Sequence, residues 1–210
     1  KEIMETITMI TTIAVALITA VFGPIAVAWA RTKFEKKNDK TPMAEALETS
    51  KLINDQLENL MNDLGCDRVW IAQFHNGGNF YPTGKSIQKF SICYELVNIN
   101  TPRVQQTFQS IPVSLFPRVL SKIYKDGEIE ILNAESEENS FGIDALTNQF
   151  KTKSISMIGL RSLDNHLIGV MGISYTQEHN VVQEEWDYIR KKSGVVGTLL
   201  SEYLYKTNKK

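Results

Sequence analysis

Residues 154–175 read SISMIGLRSLDNHLIGVMGISY. Two runs rich in isoleucine, leucine, valine and methionine flank Asp164-Asn165, a turn-forming pair. Ser154–Arg161 is predicted as a strand and His166–Tyr175 as its hairpin partner. The period then changes. Across Val182–Tyr205, Trp186, Ile189, Val195, Val196, Leu199, Leu200 and Leu204 make one apolar helical face. A hairpin followed by a long amphipathic helix points to an α+β plan.

Working outward, Met43–Leu64 has helical periodicity in Leu47, Ile53, Leu57, Leu60, Met61 and Leu64. Thr41-Pro42 supplies an N-cap and first-turn pair, and Gly65 ends the helix. Arg68–Phe74 reads as a strand. His75–Lys85 reads as a glycine- and asparagine-rich loop, and Ser86–Leu96 as a second strand. Its alternation places Phe90, Ile92, Tyr94 and Leu96 on one side, and Ile87, Lys89, Ser91 and Cys93 on the other. Residues 98–111 look irregular. Pro112–Tyr124 reads as a helix, with Pro117 confining its start. Glu128–Leu132 is a short strand, and an acidic loop leads to a short helix near Asp144–Phe150. The fold class expected is a mostly antiparallel sheet with helices on one side.

This order resembles the GAF family, relatives of PAS domains. Ser156–Arg161 and Leu167–Ile173 look like the family's "xSxxxxPL", turn, "xxIGVLxL" hairpin. Val182–Leu200, opened by Glu184 and Glu185, looks like its "fseeDxxxLxxxAxqvaxAL" ending. Val113–Leu120 and Asp126-Gly127-Glu128 resemble its middle "xxxxxVLxxGexv" segment. The likeness covers about residues 43–205. It implies a pocket on one sheet face, roofed by the middle helices and loops, that takes a small molecule, or pairing through the terminal helices. The NKxxxFxxxDE signature of the cyclic-nucleotide type is missing. So is the roof-helix cysteine that precedes a histidine in the bilin type. Cys66 and Cys93 do not reproduce the three-cysteine pattern of the methionine-sulfoxide-reducing type. No cofactor is therefore expected.

Ile7–Ala30 carries no charged side chain. As a helix it would be about 36 Å long, against roughly 30 Å of bilayer hydrocarbon. Pro24 would kink it, and Trp29 sits where an interfacial aromatic is expected. The organisation expected is a transmembrane α-helix in residues 1–30, a charged linker in 31–42, a GAF-like domain in 43–206 and a polar tail in 207–210. Arg31, Lys33, Lys36, Lys37 and Lys40 follow the apolar run and only Lys1 precedes it, which places the domain in the cytoplasm, at the inner (plasma) membrane. Partners expected are the lipid bilayer, further copies of the chain in a homo-oligomer formed through the span and the terminal helices, and a small-molecule ligand or a separate effector protein. A signal would leave through the span, the helix 43–64 or that effector. The alternative expectation is a phage-encoded structural or holin-like component, because one span followed by a small α+β head resembles single-span phage holins.

Charge excludes another class. The 23 basic and 24 acidic residues give a net charge of −1, so no basic field exists to hold nucleic acid. Cys66 and Cys93 are too few for a disulfide scaffold and are expected as free, buried thiols.

The candidate site is the His75–Lys85 loop. His75 is the residue type that changes charge near neutral pH. Asn76, Asn79, Tyr81, Thr83, Lys85 and Ser86 add polar groups, and Gly77-Gly78 offers an anion nest. Tyr94 and Glu95 are the strand residues expected to reach the pocket. No nucleophile–base pair or metal-spaced cluster is visible, so a non-catalytic module is expected.

Overall fold

Thr41 Oγ1 accepts a hydrogen bond from the Ala44 amide at 3.2 Å, opening the helix that Pro42 begins. This is α1, Pro42–Leu64, whose Ile53, Leu57 and Leu60 are fully buried at three- and four-residue steps. The computed structural model describes residues 41–132, 141 and 143–207. Ala46–Lys210 clusters as one compact unit, apart from Lys1–Glu45. The Ile7–Ala30 run and most of the basic linker lie outside the described residues. Among the described residues no helix is long and apolar enough to cross a membrane.

The remaining elements are β1 Arg68–Asn79, β2 Ser86–Val97, β3 Ile111–Pro112, α2 Pro117–Asp126, β4 Glu128–Ile131, α3 Asp144–Gln149, β5 Ser154–Arg161, β6 Leu167–Tyr175 and α4 Gln183–Thr207. They build a six-stranded antiparallel sheet of order β3-β2-β1-β6-β5-β4. The predicted β5–β6 hairpin is present. Its strand β6 joins the first hairpin through β1, with Trp70 opposite Gly172 and Ala72 opposite Val170.

Helices cover both faces, not one. On one face, α1 and α4 pack on Val69, Ile71, Ile158, Leu160, Met171 and Ile173. Tyr188 donates to Asp63 and Lys192 to Gln56, so the two helices run antiparallel. The capping of α4 follows its sequence, because Glu185 Oε2 reaches back to the Val182 amide at 3.0 Å. The other face carries α2, with α3 and the irregular 98–110 segment beside it.

Three local expectations change. The predicted helix from Pro112 divides. Ile111 pairs with Phe90 and Pro112 with Lys89, a 3-10 turn covers Val113–Leu115, and α2 starts at Pro117. A proline disfavours helical backbone in the residue before it, and Phe116 sits at φ −128°, ψ 48°. The His75–Asn79 part of the expected loop is strand: His75 pairs with Lys89, Asn76 with Gln88 and Asn79 with Ser86. The alternation of β2 also breaks. Ala72 faces Ile92 and Ile71 faces Tyr94, so Cys93 is the extra residue of a β-bulge. One inserted residue moves every later side chain to the opposite face. Cys93 is consequently exposed, while Cys66 is buried.

Candidate functional site

The face opposite α1 and α4 holds a cavity of about 110 Å³. Its floor follows from strand parity. Arg68, Trp70, Ala72 and Phe74 are alternate residues of β1, Phe90 and Ile92 come from β2, and Val170 and Ser174 from β6. Ile155 and Met157 of β5 extend it. The roof comes from separate segments. Val104 and Phe108 belong to the irregular stretch, Phe116, Val119 and Ile123 to α2 and its approach, and Ile143, Thr147 and Phe150 to α3 and its flanks. The aromatic rings interlock. Phe90 meets Phe116 edge-on with centroids 5.7 Å apart, and Phe108 lies 6.0 Å from Phe150.

The space exists partly because β6 is glycine-rich. A Cβ on Gly172 would lie 2.1 Å from the Trp70 ring, so the indole lies across that glycine. A Cβ on Gly169 would lie 2.3 Å from the Ala72 carbonyl oxygen. Both residues allow a close approach that any side chain would prevent.

One end of the cavity is polar. Arg68 is only 2 % exposed. Its Nε donates to the Pro102 carbonyl at 3.1 Å, its Nη2 to the Pro102 and Phe150 carbonyls, and its Nη1 to Thr152 Oγ1 at 3.0 Å. One side chain on the floor therefore ties down two roof segments. Its counter-ion is Glu95, 3.7 Å away with a fully buried side chain. Glu95 also accepts from the amides of Val104 at 2.7 Å and Gln105 at 3.2 Å. Burial lowers the Arg68 pKa from its ordinary value, against the pull of Glu95 and Asp67; an arginine still stays charged. Ser174 lies directly opposite Arg68 on β6. It is 2 % exposed, and its Oγ has no hydrogen-bond partner among the described residues.

The sequence-predicted residues lie elsewhere, with one exception. His75 follows Phe74 on β1 and so points to the face away from the cavity. Its Nε2 is 2.9 Å from Ser91 Oγ and its Nδ1 3.2 Å from the Asn76 carbonyl. Asn76 Oδ1 accepts from Gln88. Gly77 lies under the Lys89 side chain, and Gly78 has φ +94°, so the pair serves the hairpin. Asn79 closes the pairing. Tyr81 is 97 % exposed at the tip, and Thr83 and Lys85 complete the turn. None of these lines the cavity. The bulge decides which of Tyr94 and Glu95 faces the cavity. Tyr94 bonds to Ser50 of α1 on the other face, at 3.2 Å. Glu95 turns to the cavity side and holds Arg68.

Arg68 and Ser174 were missed by the sequence reading. The available signal was parity: Arg68 shares a strand face with Trp70, Ala72 and Phe74. Among the described residues no group of His, Cys, Asp or Glu side chains is placed to hold a metal ion. Neither cysteine lines the cavity.

Comparison with solved structures shows what this architecture is similar to. The blue-light absorbing form of the Thermosynechococcus elongatus PixJ GAF domain superposes with a TM-score of 0.61 at 14% identity, covering 79% of this chain and 92% of that one. The phycocyanobilin-bound GAF domain of a cyanobacterial phytochrome gives 0.60 at 15% identity, covering 78% and 90%. The GAF domain/HD domain protein from Geobacter sulfurreducens gives 0.58 at 10% identity, covering 79% and 99%. The fold is GAF-like. Neither a protein-family model nor a curated protein matches the sequence.

Proposed function

We propose that this chain is a non-catalytic, GAF-like sensor module that binds a small molecule in the cavity beneath the aromatic roof. The observation that supports it is the Arg68 hub. A single buried floor residue holds the 98–110 segment through Pro102 and the α3 flank through Phe150 and Thr152. A ligand seated there touches the floor and both roof segments together, and so can shift their relative stability.

The ligand is far smaller than a bilin, the chromophore named for one of the compared domains. A cavity of about 110 Å³ is of single-ring size, of the order of the roughly 150 Å³ engineered cavity that takes benzene. A four-ring tetrapyrrole has no room in it. The charge-free Ile7–Ala30 run supports a membrane tether, with the following basic residues on the cytoplasmic side.

The test is native mass spectrometry of the full chain in mild detergent, beside Ala72→Leu, which fills the floor from a 4 % exposed position. A small-molecule mass carried by the wild type and lost from the variant is the expected result. Bare masses for both proteins, under every growth condition, would overturn the proposal.

A further inference from the structure

Resting on that reading, we infer that the cavity selects a small, uncharged, largely apolar molecule carrying one hydroxyl or carbonyl group, which sits at Ser174 Oγ and the free edge of the Arg68 guanidinium. Two independent observations lead there. Ser174 lines the cavity, and its Oγ is buried and has no partner among the described residues. A buried hydroxyl left unbonded costs about 1–3 kcal/mol. The second is the bonding of Arg68. A guanidinium has five N–H donors. Nε and both Nη2 hydrogens are taken by carbonyls, and one Nη1 hydrogen by Thr152. The remaining Nη1 hydrogen has no acceptor among the described residues. Ser174 and Arg68 are cross-strand partners on one sheet face, so the two unmet groups are neighbours.

The ligand's charge follows from Glu95. The Arg68 cation is already matched by a carboxylate whose side chain is fully buried. A carboxylate ligand would place a second anion beside that pair with no cation left to meet it, which a low-dielectric site penalises heavily. Arg103, exposed and 4.0 Å from the other Glu95 oxygen, is not among the cavity-lining residues. Apart from Thr147 and Thr152, the rest of the wall is hydrocarbon and aromatic ring, so the body of the ligand is apolar.

The experiment uses the full chain in detergent and equilibrium dialysis, so that free probe concentrations are known. The probes are phenol, toluene and benzoate. Phenol is expected to bind about fivefold tighter than toluene, the yield of one added hydrogen bond, and benzoate weaker than both. Ser174→Ala is expected to weaken phenol about fivefold and leave toluene within twofold. Unchanged toluene binding also shows that the variant's cavity is intact. Should Ser174→Ala fail to fold, the wild-type ranking decides alone. Benzoate binding as tightly as phenol would overturn the inference and leave the sensor cavity standing. So would equal binding of phenol and toluene. Binding of no probe at all would overturn the sensor reading along with it.

Discussion

Replacing Glu95 by glutamine removes one charge and almost no volume. In the native structure the carboxylate has no solvent exposure and faces a guanidinium that is 2 % exposed, 3.7 Å away. The variant leaves Arg68 buried without its ion-pair partner, with only the more distant pull of Asp67. Isolating one member of a buried pair costs about 3–5 kcal/mol. The amide oxygen can still serve Val104 or Gln105, but not both as well as two carboxylate oxygens do, which adds about 1 kcal/mol. We expect a loss of about 4–6 kcal/mol, read as a lower urea midpoint at unchanged m-value. The double variant Arg68→Met/Glu95→Gln removes the stranded charge. It should cost less than the two single changes added together, by more than about 1 kcal/mol. A single-variant loss below about 1 kcal/mol, or strict additivity, would refute the account of Arg68 as a charge-matched hub.

Asp67 gives a pH dependence. Burial alone would raise its pKa, but hydrogen bonds from the Thr176 amide and hydroxyl and from Asn98, with the charge of Arg68, hold it below the ordinary value. A depressed carboxylate stabilises the fold above its unfolded pKa of about 3.9. That contribution disappears as the pH falls through the folded pKa; Asp67→Asn should therefore flatten the acid limb of a stability–pH curve below about pH 4. Burial pushes the Cys66 thiol up to about 12, whereas Cys93 is exposed with its thiol raised by partial desolvation. Iodoacetamide at pH 8 should add one label to the native protein, on Cys93, and two after denaturation, counted by peptide mass spectrometry. Gly169→Ala puts a methyl group 2.3 Å from the Ala72 carbonyl oxygen; overpacking of this kind should lower stability by about 1–3 kcal/mol in the same urea assay. His75→Ala should leave phenol affinity within twofold, because the side chain points away from the cavity.

Local pattern was enough for the second half of the sheet. The 154–175 hairpin and its Asp-Asn turn follow from residues near one another, as does most of the α4 stripe, although its Val195 and Leu204 are exposed. The first half shows where that approach stops. The bulge at Cys93 comes from strand register, and SICYELV has an unbroken alternating pattern with no glycine to announce it. Reading through it put Tyr94 on the face that Glu95 occupies. The His75–Lys85 stretch has turn composition, yet pairing with Ser86–Lys89 continues the ladder into it. Composition recorded the glycines and asparagines but not the partner strand. The polar end of the cavity was hidden for another reason. Arg68 and Ser174 are more than a hundred positions apart, and only the β1–β6 register makes them neighbours. Their chemistry belongs to a pair that no local window contains.

The sheet's middle seam joins the chain's two distant hairpins, with Trp70 facing Gly172 across it. A ribosome must therefore deliver the chain as far as Tyr175 before that seam can close. Until then the first hairpin shows a raw edge and an uncovered greasy side. Contacts made so late in synthesis favour slow folding and leave time for wrong strand partners. Any nonsense codon ahead of Tyr175 would release a fragment lacking its keystone strand, fit for proteolysis and not for reduced activity.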